Sequence, residues 1–152
     1  QAPQRSSSRE RGGERRDIMN TVEITKDNFS ELTSKPGIVL LDWWASWCGP
    51  CRAFAPIFEK AAENHTDVVF GKVNTEEQQA LASAVQIRSL PTLMVFRDGI
   101  LVFSQPGMLP APVFETLIQK VRDLDMEEVR KEVAAQQGAG SASGPQPQQA
   151  TA

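Results

Sequence analysis

Ile38-Val39-Leu40-Leu41-Asp42-Trp43-Trp44-Ala45-Ser46-Trp47-Cys48-Gly49-Pro50-Cys51 is the stretch on which the reading of this chain turns. Its first eight residues are a near-continuous apolar run, the pattern of a strand covered on both faces. After Cys51, the residues Phe54, Ile57, Phe58 and Ala61 fall at helical spacing. The two cysteines therefore sit where a buried strand gives way to an amphipathic helix. Pro50 suits the first turn of that helix, where its missing N–H costs nothing. Pro56 falls inside it and predicts a kink.

Outward from this centre, strand and helix signals alternate. Val68 to Val73 and Thr92 to Phe96 read as further buried strands. Asp98-Gly99 separates Phe96-Arg97 from Ile100-Leu101-Val102-Phe103, a two-residue hairpin signal. Glu76 to Val85 reads as a helix, and Val113, Leu117, Val121 and Leu124 mark another. Val22 and Ile24 suggest a leading strand, followed by a short helix at Phe29 and Leu32. The order β-α-β-α-β-α-β-β-α predicts an α/β fold: a mixed central sheet with a closing antiparallel hairpin, flanked by helices.

The chain has 152 residues, 40% of them apolar, enough for one ordinary domain with a real core. Residues 1–17 contain no Val, Ile, Leu, Met, Phe or Trp. Residues 1–19 are therefore expected to be a disordered tail or a cloning remnant, without the apolar stretch of a secretory signal. The domain is expected over residues 20–124. Asp125-Met126-Glu127-Glu128 resembles a helix cap, with Val129 and Val133 following at helical spacing, so a short extra helix is expected over residues 125–137. Residues 138–152 are low in complexity and are expected to be a disordered tail. The net charge of −3 gives no basic field for nucleic acid, and no apolar run reaches the roughly 18 residues of a membrane helix. Two cysteines and one histidine do not make an ordinary four-ligand zinc site, so no metal is expected.

A C-x-x-C pair alone is shared by zinc ribbons, cluster proteins and structural disulfides. Here the remaining metal ligands are missing, and a disulfide closing so short a loop would constrain the unfolded chain little. Exchange chemistry is favoured. The unpaired N–H groups and partial positive charge of a helix N-terminus stabilise a thiolate at Cys48, whereas Cys51 lies inside the helix. That placement makes Cys48 the attacking thiol and Cys51 the one that resolves the mixed disulfide.

Trp47-Cys48-Gly49-Pro50-Cys51, the preceding Asp42-Trp43-Trp44-Ala45, Lys72, Leu90-Pro91-Thr92 and Gly107 together resemble the bacterial-type thioredoxin family, in its order and over residues 20–124. The resemblance implies the thioredoxin fold and a protein-disulfide reductase cycling between a Cys48–Cys51 disulfide and a dithiol. It implies that Asp42 is buried and moves the proton of the resolving cysteine, with Lys72 pairing to Asp42. Sequence alone predicts a trans Leu90–Pro91 bond; the resemblance implies a cis one facing the cysteines, with the Leu90 backbone pairing to an extended substrate. Trp47, Gly49, Pro50, Leu90, Pro91 and Gly107 would form the substrate surface, with Trp43 in the core and Trp44 beneath the cysteines.

No bound cofactor is implied; NADPH would enter only through a thioredoxin reductase. Oxidised proteins such as ribonucleotide reductase, peroxiredoxin or methionine sulfoxide reductase would be the recipients. A cytoplasmic monomer, bound to neither nucleic acid nor membrane, is expected. Two other readings use the same residues: an oxidase or isomerase of this fold, and a binding module that docks without redox turnover.

Overall fold

The computed structural model describes residues 20–143. In chain order the elements are β1 (Val22–Glu23), α1 (Phe29–Thr33), β2 (Ile38–Trp44), α2 (Gly49–Asn64), β3 (Val69–Asn74), α3 (Gln79–Ala84), β4 (Thr92–Arg97), β5 (Ile100–Pro106), α4 (Ala111–Arg122) and α5 (Met126–Ser143). The chain forms two units, one through Val121 and one from Arg122 onward.

The first unit is built on a five-stranded sheet in the order β1-β3-β2-β4-β5. β3 runs parallel to both β1 and β2, whereas β4 is antiparallel to β2 and β5 to β4. The α/β thioredoxin fold expected from the sequence is thus present, including its closing hairpin. Asp98 and Gly99 join β4 to β5 with φ of +53° and +84°, both in the left-handed region that a two-residue hairpin turn requires. Asp98 Oδ1 also accepts the Gly37 N–H at 2.7 Å, pinning the turn to the start of β2.

β2 is central, and its apolar run follows from that position. Side chains alternate between faces along a strand. Val39, Leu41 and Trp43 enter one core with Ile24, Val73 and Met94, against Phe29, Leu32, Leu81 and Ile87. Leu40 and Asp42 point to the opposite face. Beyond the sheet, Phe54 and Phe58 of α2, Phe70 of β3 and Phe114 of α4 form an aromatic cluster with centroid separations between 5.2 and 6.5 Å. Such ring pairs add about 0.5–1.5 kcal/mol each beyond their buried area. The helix signal at Phe54 and Phe58 is therefore the seam by which α2 is fixed over the sheet.

Two boundaries differ from the sequence reading. The helix expected from Glu76 starts only at Gln79. Asn74 Oδ1 accepts the Glu76 N–H at 2.9 Å, so residues 74–77 make a side-chain-closed turn instead of a helical one. In the second unit, Asp125 Oδ1 accepts the N–H groups of Glu127 and Glu128 at 3.1 and 3.4 Å and starts α5. That helix runs to Ser143, through residues 138–143 that composition had assigned to the tail. Ala134 and Ala135 favour the helix up to the glycines at 138 and 140, and no proline interrupts the chain from Met126 until Pro145. The remaining expectations of disorder, at 1–19 and 144–152, lie outside the described residues.

Gly71 of β3 marks the tightest approach in the sheet. A Cβ there would lie 2.6 Å from Ile24 Cγ1 and 2.9 Å from Leu41 Cδ2, both fully buried. Gly71→Ala is expected to destabilise the protein by about 1–3 kcal/mol, through forced displacement of packed side chains. Urea denaturation would measure this as a lower midpoint at unchanged slope.

Candidate active site

The strand β2 ends at Trp44, and four residues later Cys48 caps α2. Cys48 has extended backbone (φ −90°, ψ 113°), and its Sγ accepts the Cys51 N–H at 3.2 Å. Pro50 occupies the first turn. Cys48 and Cys51 are joined in a disulfide, with Cα atoms 5.2 Å apart. In this oxidised form both are buried, at 4% and 3% exposure, so burial does not distinguish them. Position does: Cys48 alone stands at the positive end of the helix. The loop leading to it is tied down by the Cys48 N–H to Ala45 O bond (3.2 Å) and the two bonds that Thr75 N–H and Oγ1 donate to Trp44 O (2.9 and 3.0 Å).

Beneath the disulfide lies a cavity of about 100 Å³ lined by Asp42, Trp44, Cys51, Arg52, Ala55 and Lys72. It joins Cys51 to the carboxyl group of Asp42. Asp42 is 1% exposed, and neither of its carboxyl oxygens has a hydrogen-bond partner among the described residues. Burial pushes its carboxyl from an ordinary 3.8 up to about 7, partly opposed by the positive charge of Lys72 and reinforced by the negative charge of Glu59. Lys72 stands opposite Asp42 in the β2–β3 register. Its Nζ nevertheless pairs with Glu59 Oε2 at 3.1 Å and lies 5.5 Å from the centre of the Trp44 ring. The expected direct Lys72–Asp42 pair is therefore replaced by a Lys72–Glu59 pair, and Lys72 reaches Asp42 only through its field. The reason is solvent. Glu59 and Lys72 are both part-exposed, so their pair forms without taking the ammonium fully into the core.

Around the disulfide the surface is apolar and open. Trp47 is 68% exposed, and Gly49 and Pro50 are exposed beside it. The Leu90–Pro91 bond is cis, as the resemblance implied and sequence alone did not. Leu90 packs against the cluster of Ala45, Cys48 and Cys51, as does Trp44. Gly107 donates its N–H to Pro91 O at 2.7 Å, which brings the end of β5 to the same rim. Between Trp47 and Leu90 runs a groove of about 200 Å³, with Thr75, Ile87, Arg88 and Ser89 in its walls. Trp43 is fully buried in the core.

A family model described as Thioredoxin matches residues 20–122. The chain belongs to the thioredoxin family. It is 52% identical over 120 residues to a protein named putative thioredoxin 2 from Streptomyces coelicolor, covering 79% of this chain and 90% of that one. To Bacillus subtilis thioredoxin it is 37% identical over 103 residues, covering 67% and 98%. Among solved structures it is similar to a mutant thioredoxin from Halobacterium salinarum (TM-score 0.63, 34% identity, 69% of this chain and 94% of that one). Spinach chloroplast thioredoxin f is likewise similar (TM-score 0.61, 34% identity, 68% and 94%). The protein is a thiol–disulfide oxidoreductase with a redox-active Cys48–Cys51 pair, of a family that needs no bound cofactor. Among the described residues no cluster of three or more His, Cys, Asp or Glu could hold a metal ion. No helix among them is long and apolar enough to cross a membrane.

Three residues at this thioredoxin site went unread in the sequence. Glu59 follows Ala55 and Cys51 at intervals of four along α2, so a helical projection would have placed it on the cavity stripe. Arg52, which donates from Nη1 to Ser46 O at 2.8 Å, and Glu76, which accepts from Ser46, come from separate elements that only the fold brings together. Their partners leave no local pattern.

Because Asp42 holds its proton to a higher pH when folded than its ordinary 3.8, its contribution to stability is complete below about pH 4 and is lost as pH rises through about 7. Denaturation of the oxidised protein over this range is expected to show a loss on the order of 2–4 kcal/mol, and Asp42→Ala is expected to lack that slope.

Proposed function

We propose that the protein works as a reductant of protein disulfides, with Cys48 as nucleophile and Cys51 as resolving thiol. The observation that carries this reading is Cys48 at the N-cap of α2, one turn before Cys51, which lines the cavity shared with Asp42. The helix N-terminus favours the Cys48 thiolate, which attacks one sulfur of a partner disulfide and expels the other as a thiolate. The Cys51 thiol then loses its proton to the Asp42 carboxylate and attacks the Cys48 sulfur. The Cys48–Cys51 bond forms, the mixed disulfide breaks, and the partner leaves with both sulfurs reduced, two electrons having passed to it. A carboxyl titrating near 7 is matched to that proton transfer at neutral pH. Lys72 sets the field at Asp42 from its pair with Glu59.

The groove walled by Trp47, Ile87, Arg88, Ser89 and Leu90, together with the surface of Gly49, Pro50, Pro91 and Gly107, receives an extended segment of the partner, whose backbone pairs with that of Leu90. A largely apolar surface, with Arg88 in the groove wall, suits many partners. The Gly-Pro pair between the cysteines resembles that of the family's reductants, and a reducing cytoplasm is the setting in which the dithiol persists. Electrons enter from NADPH through a thioredoxin reductase. Recipients are oxidised proteins of the ribonucleotide reductase, peroxiredoxin or methionine sulfoxide reductase type, and the working unit is a monomer.

Wild type is expected to accelerate dithiothreitol-driven reduction of insulin, followed by turbidity, and Cys48→Ser to leave the rate at the blank. Cys51→Ser is expected to accumulate a covalent mixed disulfide with its substrate on non-reducing gels. A wild-type rate equal to the blank would overturn the reductase reading in favour of a docking module.

A further inference from the structure

The stretch that carries Trp47 is held by more than its own strand and helix. Glu76 Oε1 accepts two hydrogen bonds from Ser46, from the N–H at 3.0 Å and from Oγ at 2.8 Å. Arg52 holds the carbonyl of the same residue from the other side at 2.8 Å. Ser46 immediately precedes Trp47, and Thr75 immediately precedes Glu76. Trp47 and Thr75 both line the same groove of about 200 Å³. The Ser46–Glu76 bridge therefore links the two segments that carry these lining residues, across 30 residues of sequence.

We propose that Glu76 is a positioning residue for substrate binding: by holding Ser46 it sets the spacing of Trp47 from Thr75, and with it the groove that receives the partner's extended segment. This rests on the groove being the substrate surface. An indole that is 68% exposed has few packing contacts of its own to fix it, so the anchoring of its backbone governs where it stands. The cysteines have anchors of their own: the Cys48 N–H donates to Ala45 O at 3.2 Å and the Cys51 N–H to Cys48 Sγ at 3.2 Å. Glu76 is exposed, so its removal leaves the core intact. The two bonds from Ser46 hold its carboxyl below the usual range, consistent with an acceptor that stays ionised at working pH.

The test uses the full chain, reduced beforehand and mixed with excess insulin, its oxidation followed by tryptophan fluorescence. Half-saturating insulin concentration and limiting rate are read separately, and hydroxyethyl disulfide serves as a substrate too small to need the groove. Glu76→Ala is expected to raise the half-saturating concentration about five-fold, as for loss of one or two solvent-facing hydrogen bonds, with the limiting rate and the small-substrate rate unchanged. Glu76→Gln, whose amide oxygen accepts the same two bonds, is expected to restore wild-type behaviour, and Ser46→Ala to fall between. An unchanged half-saturating concentration in Glu76→Ala, while Trp47→Ala raises it, overturns the positioning role alone. No effect of Trp47→Ala either means the groove is not the substrate surface, and the reading beneath the proposal fails. Equal slowing of both substrates by Glu76→Ala places its effect on the cysteines and overturns the proposal as well.

Discussion

Asp42 carries a carboxyl group into the middle of a strand flanked by β3 and β4, where neither oxygen meets a hydrogen-bond donor among the described residues. In water such a group would ionise far below neutrality; here the loss of solvation holds its proton into the neutral range. In the proposed mechanism that retained proton is the centre of the active end. The cavity extends from it to Cys51, α2 sets the thiol over the cavity, and Lys72 approaches closely enough to temper the burial without neutralising it. The Lys72–Glu59 pair matters here because it keeps the ammonium from bonding Asp42 directly, which would favour the carboxylate and abolish the high-pH proton.

The aromatic cluster gives the second condition. α2 can present a thiol above Asp42 only if the helix cannot slide or turn, and Phe54 and Phe58 lock it to Phe70 and Phe114. One stretch of chain thus runs from the core through the active-site loop into the helix. Stability and chemistry share the same residues.

Much of this was legible in the sequence because it is local. The apolar run of β2, the helical spacing after Cys51, and the Asp98-Gly99 turn each follow from backbone periodicity within a few residues, and the structure has all three. Asp42 stood out as the single acid in an apolar run. What could not be read arises from contacts between elements distant in sequence. The choice of Lys72 between Asp42 and Glu59 depends on which of the two lies nearer water. The late start of α3 depends on an Asn74 side chain closing a turn. The cis bond at Pro91 is set by tertiary surroundings, and only the family resemblance pointed to it. The continuation of α5 through Ser143 crosses Gly138 and Gly140, whose low helix propensity pointed to an earlier end.

The 5.2 Å between the Cα atoms of Cys48 and Cys51 is close to the ~5 Å separating residues three apart in any α-helix. The helix start thus already gives the two cysteine backbones the spacing that the bond needs. On the proposed mechanism, closing the bond asks little rearrangement of the helix start beneath a bound partner. What then drives departure is chemical: the loss of the shared covalent link, and the change in charge as a thiolate appears or disappears at the end of a helix. The molecule behaves as a charge-bearing contact rather than a hinge, reporting its state through electrostatics at one sulfur.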